Sequence, residues 1–224
     1  MLAKKFALCL IVGIASCSHP EATKPADNPY FLLETGRYSD FRVDKTTFEI
    51  GKTDQLHSLK YRRKIGEAFK KSDGGQAFAI GYSSLKLTNR QTDSVSAIWQ
   101  TENRIFELEN GQPVIKLTLP AYEGAIWNVN AYNARTESIS RITETGKSYQ
   151  IGNQVFENTI TVIRQDDSTL LTRKKYIEIY AQNVGLIRRE RLNLQYCHKA
   201  DCLGKGIVLS GSKEITTIEN FGKQ

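Results

Sequence analysis

The chain has 224 residues, 40% of them hydrophobic and 9% aromatic, which suffices for the core of one domain and excludes a disordered chain. Its formal charge of +7 drops to +5 without Lys4 and Lys5, leaving 29 basic against 24 acidic residues. The densest basic run, Lys60-Tyr61-Arg62-Arg63-Lys64, reads as a solvated strand face and not as a cationic stripe with stacking aromatics, so no nucleic-acid partner is expected.

The first 16 residues organise the rest. Lys4 and Lys5 precede an apolar run, 6–14, broken only by Gly13, and small residues follow. The run is too short to span a bilayer as a helix and reads as an export signal. Ile14-Ala15-Ser16-Cys17 resembles a bacterial lipobox. The resemblance implies lipid on the Cys17 thiol, cleavage before it and acylation of the new amino terminus. A diacylglycerol plus an N-acyl chain exceeds the two signals that stable anchoring needs. The competing reading is an ordinary secretory signal with a chance cysteine. Ser18, not Asp, follows Cys17. By resemblance to lipoprotein sorting rules this permits passage to the outer membrane, and since no acidic cluster follows, the domain is expected to face the periplasm. Residues 17–29 then form a tether, in which 18–28 holds two of the five prolines, and 30–224 form the folded domain.

From Tyr30-Phe31-Leu32-Leu33 onward the pattern is that of strands. Residues 38–50 alternate loosely and 51–54 carry turn chemistry. In 58–70, Leu59, Tyr61, Ile65 and Phe69 fall on one side with Lys60, Arg62 and Lys64 between them, which predicts a strand. Arg63 and Glu67 interrupt that side, so a helix over 58–70 remains open. Ser72-Asp73-Gly74-Gly75 predicts a hairpin turn into 76–85, and Asn110-Gly111 another between 105–108 and 114–119. Residues 89–93 form a loop before the alternating 95–99. The stretch 122–133 is the least regular. Strands follow over 138–145, 154–165, 170–181, 185–196 and 206–218, with an expected turn at Asp166-Asp167-Ser168 and another at Gln182-Asn183. About eleven strands with short connections and no fixed-period repeat give an all-β fold. It is a single antiparallel meander built as an open or half-closed barrel or a sandwich.

Of four cysteines, Cys9 lies in the signal and Cys17 at its end, leaving Cys197 and Cys202. Export to an oxidising compartment favours a disulfide between them. A zinc site would need two more ligands, and besides His198 only His19 and His57 exist, so no metal is expected. No nucleophile elbow, His-Glu-x-x-His, phosphate loop or dinucleotide fingerprint occurs, so no catalytic residue and no cofactor is assigned. Glu102, Glu107, Glu109 and Glu123 could hide a glycosidase pair, since such carboxylates meet only in space, but scattered surface glutamates are preferred. The best candidate site is Trp127, Asn128, Asn130 and Tyr132, with Asn133 beside them. Amides with paired donors and acceptors next to flat rings suit sugar or peptide binding. The reading preferred here is a crossover loop in which the asparagines bond their own backbone and Trp127 plugs the core.

Three stretches carry a likeness. Residues 117–133, with Trp127-Asn128-Val129-Asn130 and Asn133, resemble a segment with a G-x-x-W-N-G-N-x-x-N core, Val129 standing in place of the glycine. Residues 180–190, with Val184-Gly185-Leu186-Ile187, resemble Y-A-x-x-V-G-L-I-x-x-E. Ser210-Gly211-Ser212-Lys213 and Phe221-Gly222-Lys223 resemble S-G-x-R and Y-G-K. Together they resemble small bacterial secreted lipoproteins of unassigned function. The first two also resemble, more weakly, wrapped-sheet carriers of the lipoprotein-localisation kind. The expectation is a lipid-anchored envelope protein, membrane-bound through Cys17. It would act as a non-enzymatic binding or carrier module for an apolar ligand or an envelope protein. A carbohydrate-acting enzyme with a glutamate pair and a purely structural envelope protein are the alternatives.

Overall fold

A computed structural model describes residues 28–85 and 92–224. The export signal, Cys17 and the tether as far as residue 27 lie outside the described residues, as do residues 86–91. The strands are β1 (Arg37–Phe48), β2 (Gln55–Lys70), β3 (Gln76–Ser84), β4 (Ser94–Gln100), β5 (Arg104–Glu109), β6 (Gln112–Thr118), β7 (Ile126–Asn128), β8 (Ile139–Ile151), β9 (Gln154–Ser168), β10 (Thr172–Ala181), β11 (Gly185–Tyr196) and β12 (Val208–Lys223). They form one antiparallel sheet in the order β6-β5-β4-β3-β2-β1-β12-β11-β10-β9-β8-β7. Every neighbour is consecutive in sequence except β1 and β12, which zip the halves together from Arg37 opposite Lys223 to Phe48 opposite Gly211. The sheet curls until its edge strands β6 and β7 meet, giving a nearly closed barrel with one unsealed seam. Lys116 on β6 proves the curl, because its Nζ lies 3.3 Å from Glu178 Oε1 on β10.

The expected all-β antiparallel meander is the fold, and of the architectures left open it is the half-closed barrel. Twelve strands stand where about eleven were expected. The addition is β7, three residues inside the irregular stretch 122–133. Residues 58–70 belong to strand β2, not to a helix. Arg63 sits on the same face as Tyr61 and Ile65 because it meets Glu107, with Arg63 Nη2 3.3 Å from the carboxylate. Beyond Ile65 a bulge before Ala68 resets the alternation. The run 60–64 is also less solvated than expected. Arg62 is buried in a two-pronged bond to Asp40, at 2.6 and 2.8 Å, beneath a guanidinium–Tyr38 contact of 4.0 Å.

The turn expected at 166–168 lies three residues later. Thr169 accepts from the backbone N–H groups of Leu171 and Thr172 through its hydroxyl, and that local bonding makes the turn. Asp166 remains in the strand because Arg173, across the ladder, binds it at 2.6 Å. Gly211 is required where it stands: a Cβ there would lie 2.0 Å from the Asn193 carbonyl of β11. The Cys197–Cys202 disulfide closes the β11–β12 connection, with Cα atoms 5.7 Å apart. At the opposite end of the barrel the residues before β1 cross the opening. The Asn183 N–H of the β10–β11 turn donates to the Pro29 carbonyl at 2.7 Å.

Candidate functional site

The interior is layered. An apolar cluster built on Ile65, Ile80, Ile98, Ile105, Leu117 and Tyr180 fills the middle. Against it lies a layer of charge. Glu178 is fully buried and accepts from Arg189 Nε at 2.9 Å, Lys116 Nζ at 3.3 Å, Tyr180 Oη at 3.0 Å and Tyr176 Oη at 3.3 Å. Its directly opposed partner on β11 is Arg189, so sheet register places that pair, while Lys116 arrives across the seam. Lys116 also binds Glu109 at 3.0 Å.

Arg164 on β9 stacks over Tyr176 at 4.8 Å and faces Glu178 and Glu109 at 3.4 and 3.7 Å. Its buried Nε and Nη2 make no hydrogen bond. Its charge is therefore balanced by ion pairing without directed bonds, an uncommon and costly arrangement in an interior.

The electrostatics follow from that crowding. Burial works to raise the Glu178 carboxyl, but the charges of Lys116, Arg164 and Arg189 overcome it and hold the group well below the carboxylate range. Glu109 behaves likewise: burial raises, Lys116 and Arg164 prevail, and the net shift is downward. Burial pushes the Tyr180 hydroxyl well above its ordinary value, with the Glu178 charge adding to the push. All three are thus held in one protonation state near neutrality, which suits structure and charge display and not proton transfer.

Between this layer and the barrel end lies a cavity of about 90 Å³. Its walls include the aromatic and aliphatic side chains of Phe31, Leu33, Phe41, Tyr61, Ile65 and Ile98. Its charged lining is Arg37, Arg63, Lys116 and Arg189 against a single carboxylate, Glu107. Glu107 is engaged by Arg63 and by Tyr82 Oη at 2.9 Å. Arg189 donates through its Nε to Glu178. One water needs roughly 10–15 Å³ of such space, so the cavity holds several waters or a small polar group.

The residues singled out from the sequence lie elsewhere, at the seam. Trp127 is buried, and its Nε1 donates to the Ile115 carbonyl of β6 at 3.1 Å. Asn128 Oδ1 accepts from the backbone N–H groups of Asn130 and Ser138, at 2.9 and 3.1 Å. Asn130 Nδ2 donates to the Thr136 carbonyl at 2.6 Å, and Asn133 Nδ2 to the Pro113 carbonyl at 2.7 Å. Val129 is buried in the place of the resembled glycine. Its backbone N–H donates to the Ser138 carbonyl and its carbonyl accepts from the Ile115 N–H of β6, so the main chain here lies beside β6. Tyr132 is half exposed and packs edge-on against Phe106, which stacks on Trp99. These side chains stitch an edge that lacks a ladder.

The glutamates named from the sequence take separate places. Glu107 and Glu109 point into the charge layer, and Glu123 is exposed beyond β6. Sequence reasoning missed Lys116, Arg164, Glu178 and Arg189. The available signal was a charged residue at an inward register position in an otherwise alternating strand, as with Glu178 between Ile177 and Ile179. No known family, characterised protein or solved structure matches the chain.

Proposed function

We propose that the chain is a lipid-anchored lipoprotein of the outer membrane, held through Cys17 with its domain in the periplasm, and that it acts as a non-enzymatic binding module. The ligand site is the cavity between the residues before β1 and the charge layer. The observation that carries this is the cavity's composition: aromatic and aliphatic walls with a few convergent charged groups, the usual make-up of a small-molecule site. The alternative of a glutamate-pair enzyme needs one carboxyl with a raised pKa to serve as acid. Glu109 and Glu178 are both shifted the other way.

Native mass spectrometry of the protein extracted from membranes tests the reading. An adduct is expected in the parent and absent from Ile98→Trp, whose larger ring occupies the cavity. The reading fails if the parent carries no adduct and gives no saturable heat with aliphatic carboxylates, alcohols or amines.

A further inference from the structure

Residues 30–35 form a strap over the barrel end. Tyr30, Phe31 and Leu33 pack onto the main core cluster, and the Phe31 ring lies 4.9 Å from that of Tyr180. Main-chain bonds clip the strap at its two ends. Asn183 N–H donates to the Pro29 carbonyl at 2.7 Å, and Gly36 N–H to the Ile65 carbonyl at 2.9 Å. Between the clips, among the described residues, the main-chain bond from strap to strand is the local turn in which the Glu34 carbonyl accepts from the Arg37 N–H of β1 at 3.2 Å. Thr35 adds a hydroxyl bond to the Gly66 carbonyl, and Asn28 bonds the strap locally through Tyr30 N–H and the Phe31 carbonyl. Gly36, at φ +88°, makes the bend into β1, where a Cβ would lie 2.1 Å from the Gln224 carbonyl. Lys223 Nζ binds the Glu34 carboxylate at 3.2 Å and Asn28 Nδ2 reaches Gln100 at 3.4 Å, so the strap is tied by a few side-chain bonds and packing and not by a ladder, and it can lift without opening the barrel ladder.

The strap and the cavity fit one another as plug and socket. At about 90 Å³ the cavity is smaller than the roughly 150 Å³ apolar cavity that accommodates benzene, so it takes a head group and no tail. The apolar volume next to it is the volume Phe31 and Leu33 occupy. Each lining cation has a carboxylate partner, but Lys116, Arg189 and Arg164 share Glu178, with Glu109 beside Lys116 and Arg164, so the cations around the cavity and its charge layer exceed the carboxylates by one, which favours a negative group in a site of low dielectric. We propose that the strap is a removable plug, and that the site takes a single-chain amphiphile with an anionic head. The tail replaces Phe31 and Leu33, and the head meets Arg63 and Arg189. This rests on the binding reading above and names its ligand class.

The test uses the acylated protein in lipid nanodiscs, with empty nanodiscs as blank, titrated calorimetrically with octanoate, octyl phosphate and octyltrimethylammonium. The two anions should bind about tenfold or more tightly than the cation, as expected for gaining charge-assisted hydrogen bonds. Arg189→Gln should erase that preference while keeping tail-driven binding. Phe31→Ala should tighten all three by about tenfold, because removing the plug raises the fraction of open protein. Leu33→Ala should act in the same direction and serves if Phe31→Ala does not fold. Binding with no head preference, or a plug variant that binds more weakly than the parent, overturns the plug and the ligand class but leaves a binding module standing. No saturable heat from any amphiphile, nor from acetate or butyrate, removes both.

Discussion

Glu178→Gln isolates the charge layer. The substitution keeps the side chain's size and leaves Lys116, Arg164 and Arg189 around a neutral amide in place of a buried carboxylate. Removing one partner from a buried ion cluster costs about 3–5 kcal/mol, because the remaining charges stay buried and uncompensated. For a domain of this size that is a melting-point loss of about 6–20 °C at pH 7. The pH profile supplies a second readout. Glu178 and Glu109 titrate below the ordinary value of 4.5, so their stabilisation is complete above that value and is lost as pH falls through the lower, folded-state value. The parent protein should melt at a constant temperature from pH 7 to about pH 5 and progressively lower below about pH 4.5. Glu178→Gln should start lower and depend less on pH. Scanning calorimetry with circular dichroism measures both. A variant that melts within 2 °C or so of the parent at pH 7, or keeps the parent's full acid slope, refutes the reasoning.

Trp127→Ala should cost about 3–5 kcal/mol of stability as a buried indole is lost, whereas Trp127→Phe should cost only about 1 kcal/mol for the missing Nε1 bond to Ile115; a Trp127→Phe variant as stable as the parent in chemical denaturation would show that the indole N–H closes nothing, and equal costs would show that the buried ring contributes nothing. Cys197→Ser with Cys202→Ser should still fold and lose about 2 kcal/mol, because the closed loop is short and β11 and β12 keep their own ladder. Mass spectrometry of the exported protein should find the two sulfurs joined, and free thiols there would contradict the bond. Cys17→Ala should leave the membrane fraction or remain unprocessed. A variant that fractionates and matures like the parent removes the anchor, and protease shaving of intact cells that strips the domain removes the periplasmic orientation.

The fold was legible because alternation and turn chemistry are local. Asn110 and Gly111, at φ 54° and 73°, make the hairpin their dipeptide predicts, and the 71–75 turn closes as expected with Gly74 N–H donating to the Lys71 carbonyl. Strand β7 was not legible, because three residues are too few for a period and their stability comes from Trp127 reaching β6. The turn at 169–171 was hidden by Asp166-Asp167-Ser168, whose turn propensity is overridden by a cross-strand arginine. The charge layer was illegible for a different reason. Arg164, Glu178 and Arg189 lie on the neighbouring strands β9, β10 and β11 and meet only once the register of those strands is set, and Lys116 on β6 joins them only when the sheet closes. At the level of the sequence each is a single charge among many, and Arg63 even argued against the strand that carries it.

The charge layer also bears on why the barrel is built this way. Twelve strands curl around an interior too wide for facing aliphatic side chains to fill alone, and long cationic side chains can span such a gap. Width does not by itself call for charge. Buried ion clusters can be exchanged for apolar groups of equal volume with no loss of stability, and often with a gain. A barrel that served only as a rigid envelope element would gain little from a guanidinium such as Arg164, whose Nε and Nη2 find no acceptor. The charges in this layer are Arg63, Lys116, Arg164 and Arg189 against Glu107, Glu109 and Glu178, so one positive charge has no carboxylate of its own. Three of those four cations line the cavity. The layer's excess of cations therefore borders a cavity at this end of the barrel, beneath a strap that joins no strand as a ladder. An anionic head entering there neutralises the layer, which gives a charged interior a purpose that packing alone does not.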